Sequence, residues 1–558
     1  MCIRTICILR RYSDQAKSVK LYTTPIYYVN ANPHIGHLYS SVIADAIQRW
    51  QKVLNKSAKI KFSTGTDEHG SKIQQAAEKN KVSLQDYCDN ISIQYKKLAN
   101  NFSVNYTNFI RTTSPQHKQT VDAFWKTLDK NGHIYSSKYS GWYCVSDETF
   151  LTEVQLKETV NAHGEQVIVS AESGHPVEWT EELNYMFRLH SFQEDLKYWL
   201  NKDGVVRPKK FQKILLDLIC NDQELPDVSI SRPSARVHWG VRVPHDETQT
   251  VYVWLDALAN YLTAAGYPAD TLEFRKTWPP DVQVIGKDIL KFHGIYWPAF
   301  LMAANLEPPG SILCHSHWTV DGEKMSKSKN NVVCPFDRAA TYTPDGLRYF
   351  LLRGGCRSQR RNDTKVIRIL NSELADTLGN LLSRCCGVTV NPNQVFPEIE
   401  VAAFEKVSSL DVTKKLIENV TSLPGICRSH YDDMNFYKAI DTIIATLHSA
   451  NSFFETLKPW EMRKNPDTAN ELKVVLHLAL ESLRVSAILL QPIVPNISNI
   501  VLDKIGVGKE NRYFTDVENF SWVDNEFKER VLAPEKVVLF KRIVTEKDKM
   551  SRTNIGKS

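Results

Sequence analysis

The sequence has 558 residues, of which 42% are hydrophobic and 24% are charged, and its formal net charge is +6. A chain of this length exceeds one hydrophobic core and predicts several domains. The composition excludes a disordered or fibrous chain. No apolar stretch reaches the roughly 18 residues of a membrane-spanning helix, so we expect no membrane partner. The 11 cysteines are scattered, which favours reduced thiols over a disulfide framework.

The first 20 residues differ from the rest of the chain. They contain five basic side chains and one acid, Asp14, with small polar and apolar residues between them. An arginine-rich, acid-poor segment is typical of a mitochondrial transit peptide, and a basic tail without a targeting role is the alternative. Folded-looking sequence begins at Leu21. We therefore predict a transit peptide at 1–20 and a location in the mitochondrial matrix.

The first predicted elements are those of a parallel α/β sheet. Leu21–Val29 is a short β-type run that ends in the turn-like cluster Asn30–Pro33. Leu38–Leu54 has apolar residues at helical spacing, and Lys59–Ser63 follows as the next predicted strand. Strand, turn, helix and strand in succession indicate the start of a nucleotide-binding sheet.

Further along, the character of the chain changes twice. Short mixed segments occupy 131–236, strand–loop–helix patterns return at Trp254–Leu262 and Val282–Ile289, and helical spacing prevails from about Glu373. We predict an α/β fold, with a Rossmann-type parallel-sheet catalytic domain, an inserted connective domain and a following all-α helical bundle. The predicted boundaries are 1–20 for the transit peptide, 21–130 and 238–310 for the two Rossmann halves, 131–237 for the insertion, 311–375 for a stem-contact region, 376–545 for the bundle and 546–558 for a tail.

Two short motifs carry the candidate chemistry, and the first is His34-Ile35-Gly36-His37 between a predicted strand and a predicted helix. Backbone N–H groups at a helix N-terminus favour anions, so phosphate can dock there. Gly36 allows a base or ribose to approach closely, and His34 and His37 can donate hydrogen bonds to phosphate oxygens. Two histidines that only cap the helix are the alternative, and for an isolated motif that alternative is the better interpretation.

The second motif is Lys324-Met325-Ser326-Lys327-Ser328, which follows the turn-like Asp321–Glu323. Two lysines in a polar loop can hold a triphosphate and stabilise the leaving pyrophosphate. A loop suits this task because it can close for chemistry and open for release. A solvated surface loop is the alternative for this motif alone, but the presence of both motifs in this order favours catalysis.

Together, the two motifs are the signature of class I aminoacyl-tRNA synthetases, and the chain resembles the methionyl-tRNA synthetase family, mitochondrial type, from Leu21 to about Leu539. That resemblance implies ATP-dependent formation of methionyl-adenylate, followed by transfer of methionine to the 3′ end of tRNA(Met). The short length argues against the leucyl, isoleucyl and valyl enzymes, which are much larger because they carry editing insertions. The matching stretches, all in order, are TTPIYYVNANPHIGH at Thr23–His37, GTDEHG at Gly65–Gly70, DVSISRP at Asp227–Pro233, YVWLDAL at Tyr252–Leu258 and IGKDILKFHGIYWP at Ile285–Pro298.

Site residues are also implied by the resemblance, although each aromatic taken singly is better explained as a core residue. Methionine needs a shaped apolar pocket and a carboxylate for its ammonium group. The residues implied for methionine are Ile26, Tyr28, Asp67, Trp254, Ala257, Leu258, Tyr261, Phe292, His293 and Trp297. Those implied for ATP are His34, Gly36, His37, Gly286, Lys287, Asp288, Lys324, Lys327, Val332 and Val333, of which His34, His37, Lys324 and Lys327 would be catalytic. Magnesium is implied by the triphosphate.

In the helical bundle, the resemblance implies that Asn380, Arg384 and Trp460 contact the anticodon of tRNA(Met). A capping asparagine, a surface arginine and a buried tryptophan are the alternative. Many members of the family carry zinc in the connective insertion, but here only Cys144 and His175 remain as soft ligands. A set completed by Asp147 and Glu172 is the alternative, and it would be a poor zinc site. Because a structural zinc site needs four ligands, we predict that zinc is absent and that the chain has no metal site of its own.

Three rival interpretations can be distinguished. Another nucleotidyl transferase with the first motif predicts no large helical RNA-binding domain. A catalytically dead tRNA-binding protein predicts erosion of the motif histidines and lysines, all of which are present. A cysteinyl synthetase predicts a retained zinc site. Because the sequence ends soon after the bundle, we expect a monomer.

Overall fold

The structure is a computed structural model that describes residues 17–144, 149–151, 153–160, 164–171, 173–221, 225–269, 272–316, 319–320, 323–324, 332–354, 363–523 and 527–544. The predicted tail 546–558 and most of the predicted transit peptide therefore lie outside the described residues. Two compact units make up the chain, and neither is continuous in sequence. The first takes Met1–Pro33, Lys59–Ala99 and Asn105–Ser316, and the second takes His34–Ala58, Asn100–Val104 and His317–Ser558, as far as these ranges are described.

Most strands precede residue 325, and the described chain beyond residue 332 is mainly helical. The strands, β1 to β20 in chain order, are Lys20–Thr23, Tyr27–Tyr28, Ile60–Asp67, Asn108–Arg111, Ile134–Cys144, Thr149–Leu151, Leu156–Val160, Gln166–Ser170, Glu178–Phe187, Val206–Arg207, Val228–Ser229, Ser231–Pro233, Arg242–Val243, Asp246–Val251, Val282–Gly286, Ile312–His315, Thr319–Val320, Glu323–Lys324, Val395–Phe396 and Arg530–Val531. The α-helices, α1 to α21, are Ile35–Leu54, Ser71–Asn80, Leu84–Asn101, Pro115–Lys130, Gln193–Leu200, Lys209–Asn221, Val253–Leu258, Asn260–Ala265, Leu272–Thr277, Trp297–Ala303, Pro335–Tyr342, Pro344–Gly354, Asp363–Leu370, Asn380–Cys385, Val401–Ser408, Asp411–Asp432, Phe436–Leu457, Pro459–Met462, Ala469–Leu490, Pro495–Lys504 and Phe514–Glu518.

A seven-stranded parallel sheet forms the centre of the first unit. Its order is β10-β16-β15-β1-β3-β2, and β4 also pairs with β3. The predicted succession of strand, helix and strand is confirmed by β1, α1 and β3. The run Leu21–Val29 is divided into two short strands, because Pro25 has no N–H to donate to a ladder and sits where β1 gives way to β2.

Antiparallel strands dominate the region that follows α4, as the predicted insertion requires. β5 and β9 pair from Ile134 opposite Phe187 to Tyr143 opposite Glu178, and β6 and β11 complete a four-stranded sheet. β7 pairs with β8, and β14 lies between β12 and β13. The chain then returns to the parallel sheet at β15 and β16. The inserted sheet-rich region in an α/β fold is therefore confirmed.

Long helices form the second unit, and α16, α17 and α19 have 22 residues each. Every residue of α19 from Val474 to Leu490 is buried, which is typical of a central helix. Its internal charges are paired, because the guanidinium nitrogens of Arg484 lie 2.6 and 2.7 Å from the Glu481 carboxylate. The all-α bundle is confirmed. Among the helices that the structure describes, none is both long and apolar enough to cross a membrane.

Helix α1 follows the first strands of the sheet in sequence but packs within the second unit. The Trp50 ring stacks on Tyr431 of α16 with centroids 4.6 Å apart, and its Nε1 donates to Asp432 at 2.8 Å. Asp45, fully buried on the same helix, pairs with the buried Arg348 of α12 at 2.8 Å. These contacts are consistent with the membership of α1 in the unit of the helical bundle.

Candidate active site

The amino end of α1 carries two histidines whose rings take part in the helix cap. His34 is extended, with φ −126° and ψ 176°, and its Nδ1 accepts from the Gly36 N–H at 3.0 Å. The His34 N–H in turn donates to His37 Nδ1 at 3.1 Å, and the two rings stack with centroids 3.7 Å apart. Since both Nδ1 atoms accept, a neutral ring carries its proton on Nε2. Both imidazoles are thereby set as Nε2–H donors.

The His37 ring is also held in its neutral form. Burial lowers its pKa well below the usual value, and the neighbouring His34 lowers it further. A neutral imidazole with Nε2–H can donate a hydrogen bond to a phosphate oxygen at neutral pH. The two histidines therefore do cap the helix, as the alternative interpretation states. Because the cap occupies both Nδ1 atoms, it leaves Nε2 as the donor atom of each ring.

The structure describes only some of the other residues of the second unit that are predicted to bind ATP. The Val333 carbonyl accepts from the Ile35 N–H at 3.1 Å, which brings Val333 to the start of α1, and Val332 beside it is exposed. The Lys324 backbone pairs with Thr319 in a two-stranded ribbon. Lys327 lies outside the described residues.

The residues predicted to bind methionine all belong to the first unit. Tyr28 of β2 is paired with Asp67, the last residue of β3, and Ile26 lies two residues before Tyr28. Ligands of open parallel sheets bind at the carboxyl ends of the strands. Asp67 is buried and Tyr28 is half-buried, so the structure brings a carboxylate and an aromatic ring together at such an end.

Aromatic side chains from two distant segments meet in the same unit. The rings of Trp254 in α7 and Phe292 are stacked, with centroids 3.8 Å apart and an interplanar angle of 11°. Phe292 begins a π-helical turn, Phe292–Tyr296, and such turns are frequent at functional sites because they re-aim side chains. Ala257 and Leu258 are buried in α7. Both stacked rings are half-buried.

A neutral hydrogen-bonded pair, Tyr261 and His293, lies among these aromatics. His293 Nδ1 is 2.9 Å from the Ile289 carbonyl, which can only accept, so Nδ1 donates. His293 Nε2 must then accept from the Tyr261 hydroxyl at 2.8 Å. Burial lowers the pKa of His293 to about 4 and raises that of Tyr261 far above its usual value. Such a polar but uncharged pair suits a thioether better than a charged side chain.

Trp297 lies deeper than the other aromatics. It is completely buried, with its ring centroid 5.8 Å from Tyr261, 6.0 Å from Phe124 and 6.3 Å from Trp278. Within the Tyr261–His293 pair, it packs against the Tyr261 ring.

The Tyr261–His293 pair is expected to make the stability of the first unit depend on pH. The pKa of His293 is about 4 in the folded chain against 6.5 for an ordinary histidine. Between these values the unfolded chain binds a proton that the folded chain excludes, so stability is lost as pH falls from about 6.5 to about 4. The difference amounts to about 3 kcal/mol. In urea unfolding at neutral and mildly acidic pH, His293→Gln should show a correspondingly flatter pH dependence, whereas two parallel profiles would contradict the assignment.

The sheet also supplies the remaining ATP candidates. Gly286 ends β15, and Lys287 and Asp288 are exposed in the short turn after it. A Cβ atom at Gly286 would lie 3.6 Å from the His315 ring, which is an ordinary van der Waals contact. A residue without a side chain leaves additional space for a ligand to approach the backbone there.

Two residues after Asp67, His69 takes part in a buried network that sequence reasoning missed. His69 Nδ1 is 2.7 Å from one oxygen of Asp256, and His117 Nε2 is 2.9 Å from the other. Two signals were present in the sequence. Three consecutive ionisable residues begin at Asp67, at the end of a strand, and Asp256 is the one charged residue of α7.

Two of the three predicted anticodon residues are in contact in the second unit. The Arg384 guanidinium lies 5.5 Å from the centre of the Trp460 ring and 4.9 Å from that of Phe454. Asn380 is exposed and begins the helix that carries Arg384 four residues later. The alternative of a deeply buried Trp460 does not apply, because the side chain is only half-buried.

The two soft zinc-ligand candidates sit in different environments. Cys144 is buried at the end of β5, and His175 is exposed in the turn after β8. Asp147 and Glu172, which flank them in the sequence, lie outside the described residues. Within the described ranges, no group of three or more His, Cys, Asp or Glu side chains could hold a metal ion. The absence of zinc stays a prediction.

A capped helix start that follows the first strands of a parallel sheet, with an antiparallel insertion later in that sheet, is the arrangement of class I aminoacyl-tRNA synthetases. A family model described as "tRNA synthetases class I (M)" matches residues 20–386. A second model, "Anticodon binding domain of methionyl tRNA ligase", matches residues 406–554. Together these matches cover most of the chain.

Comparison with individual relatives shows to which family of class I synthetases the chain belongs. The mitochondrial methionine–tRNA ligase of Mus musculus is 43% identical over 98% of this chain and 94% of its own length, and that of Homo sapiens is 44% identical over 95% and 92%. The structure of Mycobacterium tuberculosis methionyl-tRNA synthetase in complex with methionyl-adenylate has a TM-score of 0.86 and 33% identity, covering 94% of this chain and 100% of that chain. The chain belongs to the methionyl-tRNA synthetase family, in its mitochondrial group.

Proposed function

We propose that this chain, a methionine–tRNA ligase by family, works in the mitochondrial matrix, where it activates methionine with ATP and transfers it to the 3′ end of tRNA(Met). The observation that carries the assignment of substrate is the uncharged aromatic cluster, with Trp254 stacked on Phe292 and Tyr261 bonded to His293, in the same unit as Asp67. The likeness to the Mycobacterium tuberculosis structure with methionyl-adenylate supports it.

Recognition of methionine divides into two parts. The Asp67 carboxylate binds the α-ammonium group through a charge-assisted hydrogen bond. The thioether packs against the rings of Trp254, Phe292 and Tyr261, where each sulfur–aromatic contact contributes roughly 0.3–1.5 kcal/mol. Several fitted walls are needed, because rejecting one methylene contributes only about 1–3 kcal/mol.

Adenylate formation relies on positioning and charge stabilisation rather than on a covalent enzyme intermediate. The methionine carboxylate attacks the α-phosphorus in line, and pyrophosphate leaves. The Nε2–H groups of His34 and His37 donate to phosphate oxygens, and Lys324 and Lys327 stabilise the pyrophosphate. Magnesium, when bound with ATP, neutralises charge on the triphosphate oxygens, and we assign it no protein cage. The terminal ribose hydroxyl of the tRNA then attacks the adenylate carbonyl.

The central experiment is ATP–pyrophosphate exchange with each of the twenty amino acids. Methionine alone is expected to stimulate exchange. Stimulation by another amino acid would overturn the substrate assignment, and no exchange with any amino acid would favour the catalytically dead tRNA-binding protein.

A separate prediction concerns Trp460. Stacking of a base on an aromatic side chain contributes about 1–3 kcal/mol, so Trp460→Ala should lower tRNA charging roughly 5- to 150-fold. Methionine-dependent pyrophosphate exchange should be nearly unchanged, because it needs no tRNA. Trp460→Phe, which keeps a ring for stacking, serves as the matched control and should retain most charging. An equal loss of charging and exchange would contradict the anticodon assignment.

We also propose a monomer without structural zinc, whose first residues direct import. Cys144 is buried and His175 is exposed, and this difference supports the proposed absence of structural zinc. Metal analysis and light scattering of the purified chain test the first two points. Import into isolated mitochondria, with and without residues 1–20, tests the third.

A further inference from the structure

We infer that Glu68, His69 and Asp256 are positioning residues that fix the Asp67 carboxylate for the methionine ammonium group. This inference rests on the proposed role of Asp67. The three residues lie in the loop directly after Asp67 and in α7, and all three are buried.

Glu68 is anchored through its side chain. Arg111 donates to both of its carboxylate oxygens, from Nε at 2.7 Å and from Nη2 at 2.9 Å. The hydroxyls of Thr66 and Thr113 donate to the same carboxylate at 2.6 and 2.5 Å. A bidentate ion pair with two further donors leaves a completely buried carboxylate well satisfied, so the side chain has one geometry.

The backbone of Glu68 is held as well. Its N–H donates to the Thr112 hydroxyl at 2.9 Å, and its carbonyl accepts from Trp239 Nε1 at 2.6 Å. The Gly70 N–H donates to the Trp239 carbonyl at 3.0 Å. The peptide units that follow Asp67 are therefore tied to two separate segments of the first unit.

Asp256 provides the third anchor. One oxygen is 2.7 Å from His69 Nδ1 and the other is 2.9 Å from His117 Nε2, and His117 Nδ1 is 2.9 Å from the Thr263 hydroxyl. Burial alone raises the pKa of the Asp256 carboxyl, but the two histidines outweigh burial and hold the pKa well below its usual range. The carboxylate is thus a fixed charge at the centre of the network.

The position of Asp256 links the network to methionine rather than to ATP. It lies two residues after Trp254 and directly before Ala257, both predicted to contact the thioether. Through His69 it also reaches the loop that begins at Asp67. One buried carboxylate therefore connects both parts of methionine recognition, and a displacement of about 1 Å in such a group can cost 10²-fold in rate.

The test is the exchange reaction with Asp256→Asn, which keeps the shape of the side chain. Its KM for methionine is expected to rise roughly 10- to 100-fold, while its KM for ATP stays within about 2-fold. Two inhibitors distinguish the contact with the ammonium group from the other contacts with methionine. Methioninol, which has the ammonium group but no carboxylate, should bind more weakly by a similar factor, and 4-(methylthio)butanoate, which lacks the ammonium group, should bind as before.

A pair of variants at His69 provides an independent measurement if Asp256→Asn does not fold. His69→Asn can place an amide nitrogen where Nδ1 donates, and it should retain most methioninol binding. His69→Leu cannot donate and should lose it. Equal weakening of both inhibitors, equal changes in the two KM values, or no difference between the two His69 variants would overturn the inference.

Asp67→Asn separates this inference from the proposed function. If Asp67→Asn leaves methioninol binding unchanged, the proposed ammonium role of Asp67 fails. If Asp67→Asn abolishes methioninol binding while the Asp256 and His69 variants behave as the unmodified chain does, only the positioning inference fails.

Discussion

Replacing Asp45 with alanine is expected to destabilise the second unit by about 3–5 kcal/mol, because it leaves the buried Arg348 cation without its ion-pair partner. The Arg348 side chain is completely buried, with Nη2 2.8 Å from Asp45 Oδ2. Its remaining donors are bound to the carbonyls of Phe102, Pro492 and Ile493 at 3.0 to 3.1 Å. Those carbonyls have no charge to replace the lost carboxylate.

Urea unfolding of the variant and of two controls checks this prediction. Asp45→Leu combined with Arg348→Met removes both charges and should recover most of the stability, since apolar replacement of a buried pair is often neutral. Asp122→Ala breaks an exposed pair with Lys126 and should change stability by no more than about 1 kcal/mol. If Asp45→Ala were as mild as Asp122→Ala, the buried pair would not hold α1 in the second unit.

The second large effect is expected for His37→Asn, which should lower kcat for pyrophosphate exchange roughly 10²- to 10³-fold. In the unmodified chain, the His34 N–H donates to His37 Nδ1 at 3.1 Å. Asparagine Oδ1 can occupy the place of Nδ1 and accept the same hydrogen bond. The variant lacks the Nε2–H donor that the phosphate needs. Loss of the donor without loss of the cap is therefore expected to separate catalysis from helix stability.

His37→Leu is the matched control, because it removes both the donor and the cap. It should lose activity to the same extent and, in addition, about 1 kcal/mol of stability, as loss of a cap does. Urea unfolding of His37→Asn should match that of the unmodified chain. Retained exchange activity in His37→Asn would show that the ring serves only as a helix cap.

Much of the fold could be predicted from sequence because its determinants are local. The apolar spacing of Leu38–Leu54 predicted α1, whose observed bounds are Ile35–Leu54. The succession of β1, α1 and β3 followed from turn residues and alternation over short stretches. Even the donor atoms of His34 and His37 depend on neighbours at most three residues away. The geometry of contacts between residues within one helical turn is determined by the local sequence.

The arrangement of the candidate site was decided only by tertiary structure. Trp254 and Phe292, or Asp256 and His117, meet because separate segments pack together, and periodicity carries no information about such distant partners. An acidic residue on the apolar face of a helix, such as Asp45, signals a buried partner without identifying it. The pairing with Arg348, and with it the membership of α1 in the second unit, follows from packing, because a buried charge is stabilised by whichever opposite charge the fold brings within reach.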